Sequence, residues 1–138
     1  MWFVEHTIEA SAAPEAIWKL WEDVPNWSQW NADLEGAELS GAFVPGSAIR
    51  MRSVGGDTID LKIAEAVEPE VFIDEADLGT IVVRTIHRAE AIAPGRTRIV
   101  YGMEITGPDA DAMGPELGPQ ISGDFPQVLE ALARRAEG

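Results

Sequence analysis

The chain has no cysteine among its 138 residues. That removes a disulfide framework, a thiolate metal site and a cysteine nucleophile together. Basic residues are also scarce: 10 Lys and Arg stand against 24 Asp and Glu, a formal net charge of −14. Such a surface repels phosphate backbones and anionic membranes, so no nucleic-acid partner is expected. The acidity itself reads as a solvated surface and says nothing about a substrate. No apolar run approaches the ~20 residues needed to span a bilayer. The opening residues MWFVEHTIEAS carry neither a basic n-region nor an apolar h-region. Neither membrane insertion nor export is therefore expected, and a cytoplasmic location is. Histidine occurs only at His6 and His87, so zinc would need carboxylates brought in from afar and no metal is expected. GxGxxG, a Gly-rich lysine loop, GxSxG and HExxH are all missing, and no cofactor is expected.

What is present is a soluble-domain composition, 46% hydrophobic, and a length suited to one domain spanning residues 1–138. Trp2–Ala10 alternates: Trp2, Val4, His6, Ile8 and Ala10 share one face, with Glu5 and Glu9 on the other, the pattern of a strand. Pro14 and Glu15 suit a helix start. Ile17, Leu20, Trp21 and Val24 then fall on one helical face until Pro25 stops it. Asn26–Trp30 predicts a second short turn with Trp27 and Trp30 on one side. Turn signals follow at Pro45-Gly46, Gly55-Gly56-Asp57, Glu68-Pro69-Glu70, Asp77-Leu78-Gly79 and Pro94-Gly95. The segments between are rich in Ile, Val and Thr, giving about seven antiparallel strands. Gly107-Pro108 closes the sheet. The acidic, Gly- and Pro-interrupted stretch from Pro108 to Pro119 reads as a flexible lid or an irregular connection. From Gln120 the residues Ile121, Phe125, Val128, Leu129, Leu132 and Ala136 form an apolar stripe, with a kink or a late helix start expected at Pro126. The order is that of an α+β domain: a curved sheet gripping a C-terminal helix over an apolar cavity.

Facing follows from charge. Ile99, Tyr101, Met103 and Ile105 alternate with Arg98 and Glu104. Ile81, Val83, Thr85, His87, Ala89 and Ala91 alternate with Arg84, Arg88 and Glu90. The uncharged sets are assigned to the inside, with Met51, Ile59, Leu61 and Phe72 joining them. Both histidines then face inward, beside small residues that leave space. A mostly apolar interior with a few polar anchors is a reasonable ligand pocket. Ordinary interior histidines satisfied by their neighbours are the plainer alternative. Trp27 and Trp30 read as core residues plugging the open end, or else as one wall of the pocket mouth.

The stretch Ile8-Glu9-Ala10, Pro14-Glu15-Ala16-Ile17-Trp18, Asp23-Val24 and Trp27…Trp30 resembles the START-like, helix-grip superfamily, in its polyketide cyclase/dehydrase and lipid-transport (SRPBCC) group. Gly41…Pro45-Gly46-Ser47, His87 ahead of Gly95-Arg96-Thr97-Arg98, and Gly107-Pro108 extend the match over nearly the whole chain. The resemblance implies a seven-stranded antiparallel curved sheet with two short N-terminal helices and a long C-terminal helix over a hydrophobic cavity. It carries no shared catalytic motif.

The function expected first is carriage or sequestration of a small hydrophobic molecule, such as a lipid, polyketide or aromatic metabolite. Contacts are expected from Met51, Phe72, His87, Tyr101, Met103 and Phe125. The alternative is a cyclase or dehydratase using general acid–base chemistry. His87 would be the base, Tyr101 a donor to a ligand oxygen, and Asp74 an orienting group if its strand faces inward. A third possibility is a non-enzymatic partner-binding module. The charges Glu5, Glu9, Arg84, Arg88 and Glu104 on the outer strand faces speak against its apolar patch. Nothing in the chain sets an oligomeric state.

Overall fold

A computed structural model describes residues 1–138. Strand β1 (Trp2–Ala10) leads into helix α1 (Pro14–Glu22) and a 3-10 turn (Val24–Gln29). Six strands follow: β2 (Leu34–Ser40), β3 (Ala48–Ser53), β4 (Thr58–Val67), β5 (Val71–Asp77), β6 (Val82–Ala93) and β7 (Arg96–Thr106). Helices α2 (Ala110–Ser122) and α3 (Phe125–Glu137) end the chain. The seven strands form one antiparallel sheet in the order β1-β7-β6-β5-β4-β3-β2. This is the helix-grip arrangement, with the C-terminal helix held against the concave face. No helix is long and apolar enough to cross a membrane.

The turns sit where glycine permits a positive φ, as at Gly46 (94°), Gly56 (91°) and Gly95 (70°), a region other residues rarely adopt. Gly107 (φ 114°) is held more tightly still, since a Cβ there would lie 2.5 Å from the Thr80 carbonyl oxygen. Thr97, fully buried at the start of β7, donates its hydroxyl to the Ala12 carbonyl at 2.7 Å. That bond ties the last strand to the segment between β1 and α1.

Helix α3 begins at Phe125, with Pro126 in its first turn. The late start is therefore how the chain accommodates that proline. Phe125, Val128, Leu129 and Leu132 are buried, whereas Ile121 lies on the preceding helix and is exposed. The stretch expected to be an irregular connection or a lid is instead helical. Helix α2 contains Pro115 and Pro119 on its exposed side and buries Ala110, Gly114, Gly118 and Ser122 at four-residue spacing. The two glycines seat the helix on Trp2: a Cβ at either would come within 2.4 Å of that side chain. Close packing against an indole overrides the breaker propensity of glycine and proline.

The convex face departs from the charge argument. Val71, Ile73 and Val100 point outward by register, Val71 and Val100 opposite Arg88 and Ile73 opposite Ile86, yet all three are buried. Arg88 is the cross-strand partner of both Val71 and Val100, and the stem of a long charged side chain can cover apolar surface. Phe3 is exposed and rests over Gly102. The outer surface is thus partly apolar beneath its charges.

Candidate functional site: the aromatic interior

Strand register builds the site in rows. His6, Tyr101, His87 and Phe72 stand side by side across β1, β7, β6 and β5. The neighbouring row is Val4, Met103, Thr85, Asp74 and Ile63. The concave face therefore carries Tyr101, His87 and Phe72 in one line and Met103, Thr85 and Asp74 in the next. Asp74 does face inward, as its strand's alternation with Phe72 requires.

The aromatic row is continuous. Phe72 and His87 stack with ring centres 3.8 Å apart, and His87 meets Tyr101 edge-on at 4.7 Å. Phe125 at the start of α3 closes over Tyr101 at 5.7 Å and over His6 at 6.2 Å. Trp21 of α1 approaches Phe72 at 5.3 Å, and Phe43, from the loop between β2 and β3, lies against Phe72 at 5.1 Å. Of the expected contacts, Phe72, His87, Tyr101 and Phe125 come together in this cluster, with Met103 buried in the next row. Met51 stands apart on β3, half-buried. Trp27 and Trp30 are buried core residues.

Trp21 and Phe43 are the members that site reasoning from sequence passed over. The signal for Trp21 was its place on the apolar face of α1. Phe43 lies in a loop and gave none.

The polar atoms are unequally satisfied. Trp21 Nε1 donates to the Tyr101 hydroxyl at 3.0 Å, and Trp27 Nε1 donates to the Trp21 carbonyl at 2.8 Å. The phenol keeps its own proton to give, and burial pushes its ionisation well above the ordinary tyrosine range. His87 Nδ1 lies 3.1 Å from the Phe72 carbonyl oxygen. A carbonyl can only accept, so Nδ1 carries the proton and Nε2 is left as an acceptor. Burial depresses the imidazolium to about 3, only partly offset by that bond. At neutral pH His87 is thus an uncharged acceptor of lowered basicity. Asp74 is 5% exposed. Burial, helped by the Glu75 charge, pushes its carboxyl up to about 7, with no hydrogen bond to oppose the shift.

Two clefts open at the edges of this interior. One of about 200 Å³ lies between the 3-10 turn, residues 30–33 and α3, with Trp30 and Val128 as apolar walls and Asp33 and Asp124 at its rim. Burial, and then the Asp33 carboxyl beside it, pushes Asp124 up to about 6. The other, about 500 Å³, is an open groove flanked by Pro14, Pro69, Arg88 and Ala91. Ala91, expected inside, is exposed there because β6 runs beyond its cover. Ile59 behaves likewise: it shares the inward face with Leu61 and pairs with Met51, yet it is 41% exposed. No group of three or more metal-ligating side chains exists.

Residues 1–137 match a family described as polyketide cyclase / dehydrase and lipid transport. No curated protein matches in sequence. Among solved structures, the chain is similar to the ZhuI aromatase/cyclase of Streptomyces sp. R1128 (TM-score 0.76, 18% identity, 98% of this chain and 93% of that one). A START superfamily protein of Mycobacterium smegmatis superposes with TM-score 0.75 at 16% identity, covering 98% and 97%. A norcoclaurine synthase point mutant of Thalictrum flavum, bound to a transition-state analogue, does so with TM-score 0.75 at 13% identity, covering 97% and 92%. At these identities the likeness shows the fold.

Proposed function

Because the chain belongs to the polyketide cyclase / dehydrase and lipid transport family, we propose that it binds a small hydrophobic molecule between the concave face of its sheet and α3. The observation that carries this reading is the incomplete cover of the inward face. Ile49 and Leu61 are buried, whereas Met51 and Ile59, on the same face, remain accessible. An apolar inner surface that stays reachable from one side suits entry of an apolar ligand. Met51 lies at that rim. Phe72, His87, Tyr101 and Met103 form the floor, and Phe125 faces them from α3. Phe43 lies over Phe72 from a loop, so a ligand reaching the floor displaces it.

Native mass spectrometry of freshly purified protein, followed by organic extraction, tests the proposal. A discrete co-purifying lipid, polyketide or aromatic molecule is the expected result. An apo mass together with no thermal stabilisation by any member of a hydrophobic ligand panel would sink it, since a ligand that binds only the native state must raise its apparent stability.

A second reading, a cyclase or dehydratase, is favoured by two proton-bearing groups on the floor. Tyr101 retains an unspent O–H, and Asp74 titrates near neutrality, as a general acid–base group should. On this reading Asp74 replaces His87 as the proton carrier. Turnover of a polyketide-type substrate that is lost in both Tyr101→Phe and Asp74→Asn would support it. Turnover that survives both would exclude it.

A further inference from the structure

Asp74 is the one charged side chain of the interior with nothing to pair with. It sits in the middle of β5, between Ile63 and Thr85 on the neighbouring strands and two residues from Phe72. Its carboxyl makes no hydrogen bond to another protein group, and neither oxygen is wholly sealed from solvent-sized space. Thr85 beside it is likewise free of hydrogen bonds and only half-buried, although it stands at the centre of the concave face. None of the 10 basic side chains is buried. Those on the strands alternate with the inward residues: Arg50 and Arg52 flank Met51, Lys62 lies between Leu61 and Ile63, and Arg84 lies beside Thr85 on the opposite face. The fold therefore supplies no cation to this carboxyl. A buried carboxyl without a partner is costly to keep, and such a group calls for an explanation in function or in a bound partner.

The unused groups around Asp74 include acceptors. Thr85 Oγ1 can accept as well as donate, His87 Nε2 lies one row away on the same strand as an acceptor, and the Tyr101 O–H is a further free donor. The Phe72 ring lies two residues away on the same inward face of β5, with Trp21 packed against it, and a cation is attracted to a ring quadrupole. A largely buried carboxyl with further acceptors and an aromatic ring beside it matches a group that brings N–H donors and a positive charge. We propose that Asp74 is the counter-ion for a cationic nitrogen on the bound molecule, so that the interior selects a hydrophobic amine. The proposal rests on the interior-binding reading and narrows its ligand class. The titratable groups facing the site are His6, Tyr101 and His87 from the sheet and Asp124 from the α2–α3 junction. Tyr101 and His87 are uncharged at neutral pH, and Asp124 is acidic.

Calorimetric titration of 2-(2-naphthyl)ethylamine and of its neutral counterpart 2-(2-naphthyl)ethanol tests it, at pH 7.5 and physiological salt, on the wild-type protein and on Asp74→Asn. The expected result is at least tenfold tighter binding of the amine by the wild type. In the variant, amine affinity falls to that of the alcohol, and alcohol affinity stays within about twofold. Equal or tighter binding of the alcohol by the wild type overturns the amine inference and leaves the interior site standing, with Asp74 as a neutral hydrogen-bond donor. An amine preference that persists in Asp74→Asn also overturns it and moves the cation to another carboxyl, with Asp33 and Asp124 the nearest candidates. Binding of neither probe overturns the interior-binding reading itself.

Discussion

Asp74 and His87 are neighbours on adjacent strands whose titrations act on stability in opposite senses. The Asp74 carboxyl holds its proton up to about 7 in the folded chain, against 3.8 ordinarily. Its contribution to stability is full below about pH 4 and is lost as pH rises through 7, because the native state binds more protons than the unfolded one. His87, pushed down from 6.5 to about 3, contributes stability above about pH 6.5 that is lost as pH falls toward 3. Asp124, raised to about 6, acts in the same sense as Asp74. Asp74→Asn removes the largest acid-favouring contribution. The variant is expected to be more stable than the wild type by roughly 2–4 kcal/mol at pH 8 and by little at pH 4. Urea unfolding at the two pH values measures the difference, and equal stabilities at pH 8 would show that the carboxyl is not desolvated as described. In sequence, Asp74 was visible only as a conditional site residue. Its inward face depended on β5 register, and β5 is buried on both faces, so alternation of polarity could not reveal it.

Among the elements, α2 is the one whose sequence signals point the wrong way. Glycine and proline read as breakers when each is scored alone. Their spacing instead sorts the glycines to the buried side and the prolines to the exposed side. Gly118→Ala raises intrinsic helix propensity by about 1 kcal/mol, but its Cβ would meet Trp2 at 2.4 Å. Net destabilisation of about 1–3 kcal/mol is expected. The double variant Trp2→Ala/Gly118→Ala should show strong non-additivity, because the clash vanishes with the indole; additive losses would contradict the packing. At the other end of the sheet, Thr97→Val strands the Ala12 carbonyl without its buried donor. A loss of about 1–3 kcal/mol is expected, read from the midpoint of chemical denaturation. A shift within error would mean that water replaces the hydroxyl.

For the whole molecule, the net charge of −14 is set against very few ion pairs, all with exposed or half-exposed partners, such as Arg50–Asp60 and Arg96–Glu9. Such pairs contribute little, so repulsion among the remaining carboxylates is largely uncompensated. Raising salt from about 10 mM to about 200 mM shortens the Debye length from roughly 30 Å to under 10 Å, and Tm is expected to rise by a few degrees. A Tm that falls over this range would show that the surface pairs outweigh the repulsion. The same acidity favours the approach of a cationic ligand, in line with an interior whose one unpaired charge is negative.

The sequence by itself determined the strand count, the turns, the two short N-terminal helices and the C-terminal helix that begins at the Pro126 turn. Each of these depends on local chemistry: alternation, glycine and proline, or an apolar stripe. It also determined that His87, Tyr101 and Met103 face inward, because a period of two admits only two choices and charge decides between them on β6 and β7. Only the tertiary structure decided what long-range contact controls. It placed His6, Tyr101, His87 and Phe72 in one row through the pairing of four strands. It brought Trp21 and Phe43 onto that row from a helix and a loop, and folded α2 against Trp2 from the far end of the chain. The proton affinities follow from the same cause: nothing local to Asp74 or His87 announces desolvation, which arises when α1, α3 and the sheet close around them.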